Sequence, residues 1–455
     1  MLDTLRQPRR TLALLAIAAP LLAGRPVAAQ ETLRYGWRPG DRLIYEQRAQ
    51  ALSEDTRGPG PTLVQQAQVW ILEEKPAGLL TVIDVAPVVD GGLGPTRGLL
   101  ARRDPRGQPQ FPADCLPLLL EADDAQAMIP PLPRPLWDGR AWNSAPDLLG
   151  RFWRCTRAGP DARFDRRLRI DFVVEDPTGV SQALGRSLSG SFWFDPGEAL
   201  VARIETRAED QRLNQALLTV TLLRERRRMD ERERASCARA ATDFLRALRQ
   251  ERRFLDRLAL RGADAAAALA GVERVWDEYK AERGAAASGP FVRWATSRQE
   301  SLRARVPELR ARAELAASWL GRPAAEWSLQ SPDGATLTSE AFRGSRLIEC
   351  AWSAQSEASL WSLASLRALA KAADVDARIV CMNVDRDMSK GSAAAKSLGA
   401  GLTHVLAGPP MDARAPQELP IWRVLDENRV VLRVAFGWQA DIRDLLAGPE
   451  ERGAP

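Results

Sequence analysis

The sequence is poor in the residue types from which most metal and cofactor sites are built. It has one histidine, His404, and five cysteines among 455 residues, and no two cysteines are separated by two residues. These scarcities exclude the usual zinc patterns, which need Cys or His ligands at short, regular spacings. No glycine-rich loop with phosphate-binding spacing occurs. We therefore expect no metal ion and no cofactor.

Lysine is scarce too, since 59 of the 64 basic residues are arginine. We interpret this imbalance mainly as a coding bias. Basic residues do not alternate with aromatic ones in a stripe, as a nucleic-acid groove requires, so we expect no nucleic-acid partner. A hydrophobic fraction of 45% and a charged fraction of 27% are typical of a soluble globular protein. The length exceeds what one hydrophobic core supports and predicts several domains.

The first 29 residues have the features of a signal peptide. Arg6, Arg9 and Arg10 precede an apolar run over residues 11–23, and small residues lead to an expected cleavage after Ala29. The alternative is a membrane anchor, but the run is short and broken by proline. We therefore predict a periplasmic or secreted chain with no stable membrane span after cleavage.

Residues 30–225 have the pattern of an all-β domain. Strand-like runs at 63–72 and 79–86 flank a turn, and others follow a proline-rich stretch at 105–135. Such a set predicts a sandwich or a half-barrel. The domain could hold a lipid or another domain, and its residues leave both open. Cys115 and Cys155 could form a disulfide in an oxidising compartment.

Residues 226–320 change to a helical period. Apolar residues such as Cys237, Ala241, Phe244 and Leu248 recur every three or four positions between charged ones. We predict three helices, the first ending near Gly262, the second over 264–282 and the third over 301–320, bounded or kinked by a proline. This segment is interpreted as a linker that spaces two domains, with a partner-binding coiled coil as the alternative.

Residues 321–447 alternate strands with helices. We predict a hairpin around residues 332–334, a strand at 346–352, a helix at 357–373, a strand at 378–384 and a short helix at 389–398. A second hairpin (421–426 with 430–435) and a helix after Asp441 follow. The order predicts an α/β domain, and residues 448–455 are expected to be a disordered tail.

Several short motifs in this stretch follow one another in an order and spacing typical of one family. They are Gly321-Arg-Pro-Ala-Ala-Glu-Trp-Ser-Leu, Asp333-Gly334, Phe342-Arg-Gly344, Ala351-Trp352, Met382-Asn-Val-Asp-Arg-Asp387, Leu419-Pro420 and Leu425-Asp-Glu-Asn-Arg-Val430. Together they resemble the TlpA/ResA-type thioredoxin-like (redoxin) domains of bacterial envelope proteins. In that resemblance the two active-site cysteines fall on Ser356 and Ser359. The buried acid falls on Cys350, and the cis-proline falls on Pro420.

The resemblance implies a thioredoxin-like fold without its redox pair, because a serine hydroxyl does not form the thiolate that attacks disulfides. It further implies a groove between the active-site turn and the proline loop that binds an envelope protein or peptide. The candidate binding residues are Trp352, Ser356, Ser359, Leu419 and Pro420, and no catalytic residue is assigned.

Alternatives remain at this stage. Ser353 or Ser356 could simply cap the following helix. The chain could be a thiol-disulfide oxidoreductase that uses Cys350 with Cys381, or a lipid- or lipoprotein-binding β domain on which the thioredoxin fold docks. No Ser/His/Asp set can be assembled around His404. Asp385 and Asp387 are interpreted as a solvated strand end, and the oligomeric state stays open.

Overall fold

A computed structural model provides the coordinates. It describes residues 33–53, 60, 62–75, 78–89, 92–93, 97–110, 129–133, 140–146, 151–211, 214–258, 265–283, 289–370, 377–398, 401–408, 419–437 and 442. The expected signal peptide, Cys115, the terminal helix after Asp441 and the expected tail lie outside these residues. Among the described helices, none combines the length and the apolar character needed to cross a membrane.

The N-terminal half is built on one antiparallel sheet of twelve strands. The strands are β1 (Asp41–Ser53), β2 (Thr62–Lys75), β3 (Gly78–Val89), β4 (Gly92–Leu93), β5 (Arg97–Arg103), β6 (Pro109–Gln110), β7 (Ala141–Asn143), β8 (Phe152–Asp161), β9 (Arg167–Glu175), β10 (Arg186–Asp195), β11 (Leu200–Asp210) and β12 (Gln215–Arg228). Their order is β6-β5-β3-β2-β1-β12-β11-β10-β9-β8-β7, with β4 paired to β3. The described strands thus form one sheet, whereas a sandwich needs two facing sheets.

This sheet curls until its two edges meet. The side-chain oxygen of Gln108, beside β6, accepts a hydrogen bond of 3.1 Å from the backbone N–H of Ala145, beside β7. The concave face encloses one hydrophobic core, whose aromatic members include Tyr45, Phe172 and Phe192. A single short helix, α1 (Val180–Ala183), lies between β9 and β10.

Three helices cover part of the outer face: α2 (Glu231–Arg257), α3 (Ala265–Arg283) and α4 (Phe291–Trp319). Val69 and Ile71 of β2 point into the concave core, while Trp70 and Leu72 share a second core with these helices. Burial on both faces explains why this part of β2 is a continuous apolar run. The helical segment is therefore packed on the sheet, which the linker interpretation did not anticipate.

The predicted borders of the helical segment need correction. Residues 226–228 continue β12, because their backbone pairs with the start of β1. Helix α4 begins at Phe291, ten residues earlier than predicted, because Phe291, Trp294 and Ala295 are buried in the helical core. Pro307 lies inside this helix and does not bound it.

The C-terminal half contains a seven-stranded mixed sheet. Its strands are β13 (Ser328–Gln330), β14 (Thr336–Thr338), β15 (Leu347–Trp352), β16 (Arg378–Asn383), β17 (Thr403–Leu406), β18 (Ile421–Leu425) and β19 (Val431–Phe436), in the order β14-β13-β17-β16-β15-β18-β19. Helix α5 (Glu357–Ala370) connects the parallel strands β15 and β16, and α6 (Met388–Leu398) connects β16 to the parallel strand β17. The antiparallel hairpin β18–β19 completes the sheet beside β15.

Two contacts between the halves are seen among the described residues. The end of α4 contributes Ala316 to the core beneath β15 and β19. On the other side of the C-terminal sheet, Val180 of α1 and Leu184 join the core formed by α5, β15 and β16. The β domain therefore reaches the helix that follows the predicted active-site turn.

Candidate functional site

The candidate site is the turn between β15 and α5. Strand β15 lies in the interior of the sheet, and nearly every residue in it is buried. The strand ends at Trp352, where the turn begins. The N–H of Ser356 bonds to the carbonyl of Ser353 at 3.2 Å, which closes the turn, and α5 begins at Glu357, as predicted. The turn thus stands at the carboxyl end of a parallel strand, where α/β folds place ligands.

Ser356 is held by two hydrogen bonds. Its Oγ accepts the N–H of Ser359 at 3.2 Å, which is the bond of a helix N-cap. Its hydroxyl donates to the carbonyl of Leu419 at 3.1 Å. The Leu419–Pro420 peptide bond is cis. The serine at the position of the missing nucleophile therefore caps α5 and joins it to the proline loop.

Ser359 lies inside the protein. Its side chain is fully buried, and its Oγ accepts the backbone N–H of Ser353 at 3.3 Å. Both serine hydroxyls at the predicted active-site positions thus have defined hydrogen-bond partners, and His404 is not among them. His404 is itself buried, with its ring 5.7 Å from that of Trp352 in an edge-to-face arrangement.

A buried carboxylate beneath the turn was missed by the sequence interpretation. Asp385 is only 5% exposed. Its oxygens accept hydrogen bonds from the hydroxyl of Ser353, from the N–H of Ala354 at 2.8 Å and from Nδ2 of Asn383 at 2.8 Å. The interpretation as a solvated strand end is wrong for Asp385, because this residue follows β16 and lies buried beneath the turn. The same interpretation fits Asp387, which is exposed.

The two cysteines nearest the turn are inaccessible. Cys350 and Cys381 lie opposite each other on the parallel strands β15 and β16, and both are fully buried free thiols. Burial raises the pKa of each thiol, and the neighbouring Cys381 adds to the effect on Cys350. A thiol in such surroundings stays protonated and inert at neutral pH. Cys155 is likewise a buried free thiol.

The five predicted binding residues differ in their access to solvent. Ser356 and Leu419 are half-buried, whereas Trp352, Ser359 and Pro420 are buried. The fold does bring Ser356 and Leu419 together across the turn. Among the described residues, no group of three or more His, Cys, Asp and Glu side chains could hold a metal ion.

The β domain contacts the residue that follows Ser356. Glu357 forms an ion pair with Arg186 of β10, which also bonds Asp210 at 3.3 Å. One turn further along α5, the guanidinium of Arg151 lies 5.8 Å from the ring of Trp361. Sequence periodicity gives no signal for this contact, because its partners lie more than 150 residues apart.

Comparisons with known proteins cover only about a quarter of the chain. No family model and no curated protein matches the chain. Solved structures that it is similar to include a thiol-disulfide oxidoreductase from Bacteroides fragilis NCTC 9343, at 21% identity over 28% of this chain and 98% of that chain, with a TM-score of 0.24. The thioredoxin domain of a thiol-disulfide oxidoreductase from Bacteroides vulgatus matches at 13% identity over 28% and 95%, with a TM-score of 0.25.

A DsbF homologue from Corynebacterium diphtheriae gives 19% identity over 27% of this chain and 82% of that chain, with a TM-score of 0.24. Scores and identities at this level carry no argument about activity. The assignment of a thioredoxin-like domain rests on the observed strand order, in which a parallel β15-α5-β16 unit is joined by the antiparallel hairpin β18–β19.

Proposed function

We propose that this chain is a protein of the bacterial envelope whose thioredoxin-like domain binds an extended peptide and does not exchange disulfides. The observation that carries the proposal is the double hydrogen bond of Ser356, which stands where the resemblance places the nucleophilic sulfur. A hydroxyl that caps a helix and holds the proline loop has a structural role and no redox chemistry.

Electron transfer needs a thiol that ionises and reaches its substrate. The turn contains none, and the nearest cysteines are buried thiols with raised pKa values. A disulfide between them would still be enclosed by the core around β15 and β16. The thiol-disulfide oxidoreductase alternative is therefore not better supported than the proposed function.

The proposed contact surface is the edge formed by the turn and the proline loop. Gln355 is exposed, and Ser356 and Leu419 are half-buried beside it. Backbone groups at such an edge can pair with an extended peptide, which gives affinity with little dependence on the peptide's side chains. In this proposal Trp352, Ser359 and Pro420 support the surface from beneath. Glu357, held by Arg186, marks its border with the β domain.

An array of envelope-protein peptides and unfolded proteins tests the proposal, with the best binder then titrated by fluorescence anisotropy. Leu419→Glu should weaken binding at least about tenfold, because it places a charge beside the backbone of the partner, and Pro420→Ala should weaken it as well. Leu432→Glu is the matched control, since Leu432 is 50% exposed on β19 of the same domain. An array without any binder, or equal losses in Leu419→Glu and Leu432→Glu, would contradict the proposal.

A further inference from the structure

A cavity of about 430 Å³ lies between the concave face of the β sheet and helix α5. Its volume is within the range of roughly 300–1,000 Å³ that is usual for small-molecule sites. The lining comes from β1 and β8–β12 on one side and from Glu357 and Trp361 on the other. Residues from both halves of the chain therefore line the cavity.

The cavity exists because side chains on the concave face become small toward one end of the sheet. At the other end, large rings such as those of Tyr45 and Phe194 fill the core. In the cavity the corresponding positions of β1 and β11 are Ala51, Thr206 and Ala208, which leave space. Its apolar walls are formed by Trp153, Val174, Leu188, Ile204, Leu217 and Trp361.

One buried polar group in the wall lacks a partner. Gln47 is 5% exposed and lines the cavity, and its Nε2 donates to Oγ1 of Thr221 at 3.4 Å. Its Oε1 has no hydrogen-bond partner. Leaving a buried acceptor unpaired is costly, and a ligand that donates a hydrogen bond here would remove that cost. The site therefore favours a ligand that is mostly apolar and carries a hydroxyl or N–H group as a hydrogen-bond donor.

The charged residues around the cavity argue against an anionic head group. Arg151 and Arg186 line the cavity together with Glu209, Asp210 and Glu357, and Glu209 forms an ion pair with Arg207 on the same strand. Arg186 already pairs with both Asp210 and Glu357. A carboxylate or phosphate would lose its hydration in a partly enclosed, low-dielectric space where the acidic and basic side chains already neutralise one another, so no net attraction offsets that cost. An uncharged head group meets no such barrier.

From these observations we infer that the cavity binds a neutral single-chain lipid. Its chain lies along the apolar walls, and a hydroxyl of its head donates to Oε1 of Gln47. The cavity shares only Glu357 with the border of the proposed contact surface, so binding at one site can fail without the other. Because α5 forms one wall, an occupied cavity also adds contacts between the β domain and the thioredoxin-like domain.

Equilibrium dialysis of the purified full-length chain tests this inference. The probe is radiolabelled 1-monolauroylglycerol, used below its aggregation concentration, and laurate is the anionic comparison with the same chain. We expect saturable binding of the monoglyceride and at least tenfold weaker binding of laurate. Absence of saturable binding, or tighter binding of laurate, would overturn the inference.

Two variants and one control locate the site. Ala208→Trp fills the cavity and should abolish binding. The control Val173→Trp, at an exposed position next to Val174 on the opposite face of β9, should leave binding unchanged. Gln47→Leu keeps the volume and removes the unpaired acceptor. It should therefore fold normally, as checked by circular dichroism, and bind the monoglyceride about tenfold more weakly. Unaltered binding by Gln47→Leu, or by a folded Ala208→Trp, would place the lipid elsewhere and refute the assignment.

Discussion

Replacing Ser356 by alanine is expected to loosen the start of α5 by a definite amount. The loss of a serine N-cap costs about 1 kcal/mol. The lost donor to the carbonyl of Leu419 costs about 1 kcal/mol more, the usual net value of a hydrogen bond. The free energy of opening this segment should therefore fall by about 2 kcal/mol, which corresponds to roughly 30-fold faster exchange of its protected amides.

Native-state hydrogen exchange with mass spectrometry measures this quantity locally, which suits a chain of several domains that has no single unfolding transition. The peptide to follow covers residues 353–362 and includes the N–H of Ser359. Ser365→Ala is the matched control on the same helix, since the hydroxyl of Ser365 bonds only the carbonyl of Trp361, one turn earlier. Alanine is the better helix former there, so no loss is expected. Equal protection in Ser356→Ala and wild type would refute the capping role.

Three further predictions concern buried groups. Asp385→Ala should destabilise the C-terminal domain by about 3 kcal/mol, because three donors at the turn lose their acceptor; an unchanged urea midpoint for the unfolding of this domain would contradict this. Ellman's reagent should modify at most one thiol quickly in the native chain and all five after denaturation, since four cysteines are buried; rapid reaction of two would count against the burial. Burial raises the pKa values of Cys155 and Cys237 to about 12, above those of the unfolded chain. Stability should therefore be intact below about pH 8.5 and fall by about 1.4 kcal/mol per thiol and pH unit as the pH rises toward 12; Cys155→Ala should flatten that slope in denaturant titrations.

Local patterns were sufficient for most elements of the C-terminal domain. The apolar run of β15 and the capping serine before α5 are short-range signals, and both elements begin within a residue of where they were predicted. The same signals misled at Pro307. A proline lacks one backbone N–H, yet α4 continues through it. Packing of residues on both sides of the proline outweighs that loss, and packing is not visible in a short sequence window.

Contacts between distant segments could not be predicted from the sequence. Asp385 is buried only because the β15-α5-β16 crossover brings it under a turn 30 residues earlier in the chain. The pairing of Arg186 with Glu357 and the cavity beside it depend on how the two halves pack together. Hydrophobic periodicity reports which face of an element is buried and not against which partner. For that reason, only part of the proposed contact surface could be predicted from the sequence.

The insulin-reduction assay with dithiothreitol measures whether this chain exchanges disulfides. We expect the purified chain to give no turnover above dithiothreitol alone, because the turn at Ser356 and Ser359 has no sulfur and Cys350 and Cys381 are fully buried in the core. A Ser356→Cys/Ser359→Cys variant, measured alongside, shows whether the backbone would support the reaction. Catalytic turnover by the wild-type chain that disappears in Cys350→Ala would contradict the proposed function.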